Sequence, residues 1–217
     1  MKKPFVLACL VFALICVCVS CSSDDNSIPE PEESFYALRV GNSWVYKYYR
    51  RENILSSVFN DTGVIDSVTI VDTEMINGNE FYKFRIRTSG NETNAALCAP
   101  NGERFVNFRD SLGYLITDVG QVEFSREDDQ EFLLNANEFL QLCTARGEGV
   151  ETISTEAGSF DCEWMKVYAK EIPSLEVFPA LDKNYYADGI GKILNTCSFA
   201  SQDVHVMERR LVSYNVQ

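Results

Sequence analysis

From residue 43 to the C-terminus, apolar and polar residues alternate in short runs separated by Gly, Asn and Asp. Alternation with a period of two places successive side chains on opposite faces of a β-strand. In residues 43–49, Trp44, Tyr46 and Tyr48 share one face, and Gly41-Asn42 supplies a turn before them. In residues 80–88, Tyr82, Phe84 and Ile86 point one way, and Lys83, Arg85 and Arg87 the other. One face of that strand is buried and the other wet, as in an antiparallel sheet. Asn77-Gly78 separates it from the β-rich residues before it, and both residues tolerate φ > 0, which predicts a tight hairpin. Further short runs at 64–71, 104–108, 114–118, 122–124, 150–154, 162–169, 184–187, 192–199 and 204–216 read as strands. Residues 131–144 fit either one helix or a strand and a loop, because periodicity does not settle short apolar runs. The pattern predicts a mainly β fold: a curved antiparallel sheet, half-barrel or barrel, with at most one or two short helices.

The first 33 residues follow a different pattern. Lys2 and Lys3 precede an almost unbroken apolar run over residues 5–19, the length of a signal-peptide core and too short for a comfortable bilayer span. Ser20 and Cys21 follow, so the stretch resembles the lipobox of bacterial lipoproteins, with Cys18 where that pattern prefers Leu. The resemblance implies cleavage after Ser20, acyl chains on Cys21 and attachment to a membrane through that lipid. Residues 22–33 carry Pro29, Pro31 and the acids Asp24, Asp25, Glu30, Glu32 and Glu33, with no base. Such a segment buries too little to fold and reads as a flexible acidic linker. The expected organisation is a signal peptide (1–20), a lipid-anchored linker (21–33) and one antiparallel β domain (34–217). Cys21-Ser22-Ser23-Asp24-Asp25 also resembles the acidic export signal of Bacteroidota-type lipoproteins. In those proteins it implies display on the outer face of the outer membrane; the expected location is the outer membrane, lipid-anchored, on the periplasmic side or the cell surface.

Charge narrows the partners. After cleavage the chain would hold 17 Lys and Arg against 32 Asp and Glu. That balance argues against nucleic acid and anionic membrane surfaces, which reward clustered bases. Four cysteines fall in the domain: Cys98, Cys143, Cys162 and Cys197. An exported domain meets an oxidising compartment, so two disulfides are expected, and four cysteines allow three pairings. Cys162 and Cys197 lie in predicted strands flanking the return at 185–191, which favours Cys162–Cys197 with Cys98–Cys143. Buried free thiols are the alternative. A zinc site wants a spacing such as Cys-x-x-Cys, and the domain has none.

Three stretches carry a wider resemblance: residues 38–46 (LRVGNSWVY), 157–162 (AGSFDC) and 186–191 (YADGIG). Their order resembles Bacteroidota-type outer-membrane lipoproteins. The last two are also similar to exported β-rich proteins related to the lipoprotein-carrier half-barrels. That resemblance implies a curved sheet around an apolar cavity, and it brings no catalytic residues.

Candidate chemistry is sparse. His205 is the single histidine and sits between Val204 and Val206, so a Ser–His–Asp arrangement would have to use a strand residue. The acidic run at 127–131 lacks the spacing of a calcium loop, and no phosphate-binding glycine motif occurs. No enzyme activity and no cofactor are expected. The aromatic surplus is more informative. Trp44, Tyr46, Tyr48, Trp164 and Tyr186 are the candidates to line a ligand cavity, against ordinary core packing. Two functions remain: a binding module for an apolar ligand or a glycan, or an accessory subunit of an outer-membrane or cell-surface assembly. They differ in whether the concave face is open or packed shut, for example by residues 131–144 lying across it as a plug. The protein or glycan partner is not specified by the sequence.

Overall fold

Alternating faces and tight turns together build an all-strand domain, described here by a computed structural model. The structure describes residues 34–127 and 129–217. The expected signal peptide (1–20) and the expected linker (21–33), Cys21 included, lie outside the described residues. The strands begin with β1 (Ser43–Arg51), β2 (Phe59–Ile76), β3 (Asn79–Ser89), β4 (Gly102–Ser111), β5 (Tyr114–Thr117) and β6 (Val122–Ser125). They continue with β7 (Glu131–Ala136), β8 (Leu140–Arg146), β9 (Glu151–Thr155) and β10 (Gly158–Glu171). The last are β11 (Asp182–Ala187), β12 (Gly191–Cys197) and β13 (Met207–Asn215). Their order in one sheet is β6-β5-β4-β3-β2-β1-β13-β12-β11-β10-β8-β7, with β9 paired to β10 off this path. Every pairing is antiparallel, and the sheet curves into a nearly closed barrel.

Register follows the alternation. Trp44 pairs with Val68 and Val68 with Ile86, so the apolar faces of β1, β2 and β3 line one inner surface. Asn77 and Gly78 take positive φ at the β2–β3 hairpin, as their tolerance for that region predicts. Residues 131–144 form neither a helix nor a plug. They are the strand pair β7–β8, in which Phe132 faces Thr144 and Leu133 faces Cys143. A helix would have put Phe132, Leu133 and Leu134 on nearly adjacent faces; the sheet takes the first and last of them in alternation.

The core is filled from an unexpected side. Phe35, Tyr36, Ala37 and Leu38 are buried against the inner surface just before β1. Phe35 stacks on Phe124 at 5.7 Å, and the Tyr36 hydroxyl donates to the Gly113 carbonyl at 2.5 Å. Fully buried Asn42 fixes this segment: its Nδ2 donates to the Ala37 carbonyl, and its Oδ1 accepts from the Gln217 amide. On the outer face, the β9–β10 hairpin reaches over the sheet: Glu156 pairs with Lys47, and Glu151 with Lys183 and the Tyr185 hydroxyl.

The four cysteines are free, which corrects the expectation of two bridges. Asn184 pairs with Asn195 and Val167 with Asp182, so Cys197 lies level with Val167 two strands away. Cys162 is five residues further along β10. That separation is about 10 Å across the sheet and about 16 Å along it, whereas a bridge needs Cα atoms within about 7 Å. Cys98 and Cys197 both pack against the Tyr48–Val64–Met207 cluster. Cys143 sits instead on β8 opposite Tyr168 and Leu133, four positions along the sheet from β13. Flanking the same return in sequence did not bring Cys162 and Cys197 level, because Cys162 lies beside the return, next to the Glu163–Tyr186 pair, while Cys197 lies at the far end of β12.

Candidate functional site

The inner surface keeps a cavity of about 270 Å³. Its apolar wall includes Leu38, Trp44, Val68, Phe84, Phe108 and Leu115. Trp44 stacks on Phe84 at 6.0 Å, and Phe84 meets Phe108 edge-on at 5.2 Å. The Trp44 indole donates to the Ile190 carbonyl, and the Tyr46 hydroxyl to the Lys192 carbonyl, so both rings are held against β12 and the turn before it. Gly191, at φ +93, admits this approach: a Cβ there would stand 3.4 Å from the Tyr36 carbonyl.

Two polar poles flank the cavity. At the first, Asp66 on β2 is fully buried. Its carboxylate accepts from Thr88 Oγ1 (2.5 Å), Tyr48 Oη (2.9 Å) and Arg209 Nε (2.7 Å), with Arg104 Nη2 further off at 3.4 Å. These residues come from five neighbouring strands, β4-β3-β2-β1-β13, and register brings them together: Asp66 pairs with Thr88, and Tyr48 with Arg209. Burial by itself pushes the Asp66 carboxyl up, but the Arg209 charge, the Thr88 and Tyr48 hydrogen bonds and Arg104 together hold it below its ordinary value. Burial likewise opposes the Arg209 charge, and the neighbouring Tyr46, Asp66 and Tyr48 outweigh it. The Arg209 guanidinium lies 3.7 Å from the Tyr46 ring centre, a cation–π contact in a desolvated place. Burial pushes the Tyr46 and Tyr48 hydroxyls up to about 12, so both stay protonated donors. At the second pole, Glu123 on β6 pairs with Lys192 and accepts from the Tyr186 hydroxyl at 3.3 Å. Burial, then the Glu123 charge, raises Tyr186 well above its usual range.

Of the aromatic candidates, Trp44, Tyr46, Tyr48 and Tyr186 line the cavity together. Trp164 does not. It pairs with Tyr185 on the outer face, where Lys183 covers its ring at 4.1 Å. It lies against Gly147, where a Cβ would come within 2.2 Å of the indole. His205 is remote from the cavity lining, stacked on Phe59 and bonded to Glu208 at 2.7 Å. Among the described residues, no group of three His, Cys, Asp or Glu is placed to hold a metal ion. The charged pole was missed by sequence reasoning, yet it left a signal. Asp66 falls between Val64 and Val68 on their face of β2, and Arg209 between Met207 and Leu211 on theirs. A charge in an apolar register is expensive unless paired, so two such positions point to each other.

No family model and no curated protein matches the sequence. Among solved structures, a Bacteroides fragilis protein described as exported and of YmcC-like fold aligns with a TM-score of 0.53 at 12% identity, over 84% of this chain and 99% of that one. A Parabacteroides distasonis protein described as a lipoprotein aligns with a TM-score of 0.46 at 14% identity, over 84% and 99% of the two chains. The first likeness shows a shared fold. The chain thus shares the fold of that protein: a nearly closed antiparallel barrel, here with an aromatic cavity on its inner surface.

Proposed function

We propose that this chain is a non-catalytic binding module of the bacterial cell envelope, held at the outer membrane by acyl chains on Cys21, and that its cavity takes a small apolar ligand. The observation that carries the reading is the aromatic cavity of about 270 Å³. Sealed and empty, a hollow of that size would cost up to about 6 kcal/mol at the rate measured for cavity-making mutants. A chain with abundant large side chains would fill it unless something else does. The absence of any histidine from the lining, and the engagement of its acids in ion pairs, favour binding over catalysis.

Two measurements test this. Intact mass of the membrane-extracted protein is expected to show a mature chain that starts at acylated Cys21; an unmodified Cys21 removes the anchor. Titration of the domain (34–217) with an environment-sensitive fatty-acid probe is expected to saturate at one site, and a linear, non-saturable response removes the ligand.

A second reading, an accessory subunit of an envelope assembly, draws on one end of the barrel. Leu55 in the β1–β2 loop, Phe139 in the β7–β8 turn and Leu175 and Val177 in the β10–β11 loop are all exposed. Antiparallel order puts these loops at the same end. Exposed apolar tips grouped in this way suit contact with another protein. Cross-linking in intact cells, with and without Leu55→Asp and Leu175→Asp, tests it: adducts that are lost with the substitutions support the contact, and unchanged adducts exclude it.

A further inference from the structure

The charges at the first pole do not balance. Asp66 is occupied by Thr88, Tyr48 and Arg209 at 2.5–2.9 Å, which uses most of what one carboxylate can accept. Arg104 reaches the same oxygen only at 3.4 Å, at the outer limit of a hydrogen bond, and otherwise donates to the neutral Thr88 hydroxyl at 2.7 Å. Two guanidinium groups therefore share one carboxylate. Arg104 keeps 40% of its side chain exposed while lining the cavity, and Arg209, which also lines it, is nearly buried. Among the described residues, the Arg209 side chain makes its one hydrogen bond, through Nε, to Asp66. The opposite pole is neutral, since Lys192 is matched by Glu123. Counting Asp66, the cavity carries one positive charge in excess, inside a domain with 17 basic and 27 acidic residues. A local sign opposite to that of the whole molecule calls for a cause.

We infer that the cavity binds a small amphiphile with a carboxylate head. The head lies at Arg104 and the Nη edge of Arg209, and the apolar body lies along Trp44, Phe84 and Phe108. This rests on the binding reading above and adds the ligand's charge. Arginine offers a planar fork that matches a carboxylate in two parallel bonds. The aromatic wall beside it lowers the local dielectric, which strengthens the pairing relative to water. About nine water molecules' share of liquid volume is available, enough for one short chain.

Isothermal titration of the domain with decanoate and with 1-decanol separates the two levels. Decanoate is expected to bind at least about tenfold tighter than decanol, as a charged hydrogen bond allows. Raised salt is expected to shrink that advantage while leaving decanol unchanged. Arg104→Gln is expected to weaken decanoate about tenfold and to leave decanol within about twofold, with the thermal midpoint of the variant showing that it is folded. If that variant does not fold, the salt dependence of the natural chain decides by itself. Equal affinity for decanoate and decanol overturns the charged-head inference and keeps the binding module. A greater loss with Lys192→Gln than with Arg104→Gln places the head at the opposite pole and overturns the assignment. No binding of either compound overturns the module itself.

Discussion

Asp66 concentrates the cost and benefit of charge at a single residue. It has no contact with solvent, and four donors converge on it. Asp66→Asn keeps the size and strands Arg209, so urea denaturation is expected to show a loss of about 3 kcal/mol, as for other broken buried pairs. Its pH dependence has a definite sign. The folded carboxyl lies below its ordinary value, after the opposing effect of burial is overcome by Arg209, Thr88, Tyr48 and Arg104. The stabilisation is therefore complete above the unfolded value of about 3.9 and fades as pH falls through the lower folded value. Stability of Asp66→Asn should fall less steeply below about pH 4, and an identical acid limb in both proteins would contradict the account. The thiols make a second residue-level prediction. Burial, then Asp161, pushes Cys162 up to about 12, and burial, then Asp182, pushes Cys197 up to about 11. Thiolate is scarce at neutral pH, so the native domain should alkylate slowly. Unfolded without reductant, it should present four reactive thiols, and a smaller number would mean that a bridge exists.

At the scale of the element, strands were readable and their uses were not. The Asn77-Gly78 hairpin and the inward face of β3 could be read because each is local: a turn geometry and a period of two. The conversion of residues 131–144 into β7–β8 was not, since those apolar residues suit a helix until β10 offers a partner edge. The segment at 34–38 was missed for a related reason. Ser34-Phe35-Tyr36-Ala37-Leu38 has no strand period, and its burial draws on rings from distant strands, Phe124 and Tyr186 among them. It does the filling for which residues 131–144 were one candidate, and it leaves the aromatic cavity beside it. Phe35→Ala removes a ring stacked on Phe124 and covered by Arg126 at 4.1 Å. A loss of about 3 kcal/mol is expected, measured as a lower denaturant midpoint with an unchanged slope. A loss below about 0.5 kcal/mol, the range of surface changes, would show that the segment is not part of the core.

At the scale of the molecule, the barrel stops short of closure, and where it stops bears on how a ligand reaches the interior. β6 and β7 end the strand order, each bonded to one neighbour. Side chains bridge them instead of a ladder. Gln121 Nε2 donates to the Leu134 carbonyl at 2.7 Å, Tyr114 meets Phe132 edge-on at 6.0 Å, and Glu163 pairs with both Arg126 and Arg146. A few half-buried ion pairs and single side-chain bonds do not replace a ladder of backbone hydrogen bonds, whereas β1 is held by two ladders, to β2 and to β13. Behind this seam stand Leu115, which lines the cavity, and Glu123 of the second pole. The seam is therefore the weakest wall of the barrel and faces the cavity directly. Native-state hydrogen exchange is expected to show β6 and β7 opening at far lower free energy than β1, β2 and β13, in keeping with their few paired amides. Occupancy by decanoate should slow exchange in β5 and β6 more than in β1, because the weak wall gains most when the space behind it is filled. Uniform protection across all strands would mean that the side-chain bridges hold the seam as firmly as a ladder does, and that a ligand must enter through an end of the barrel.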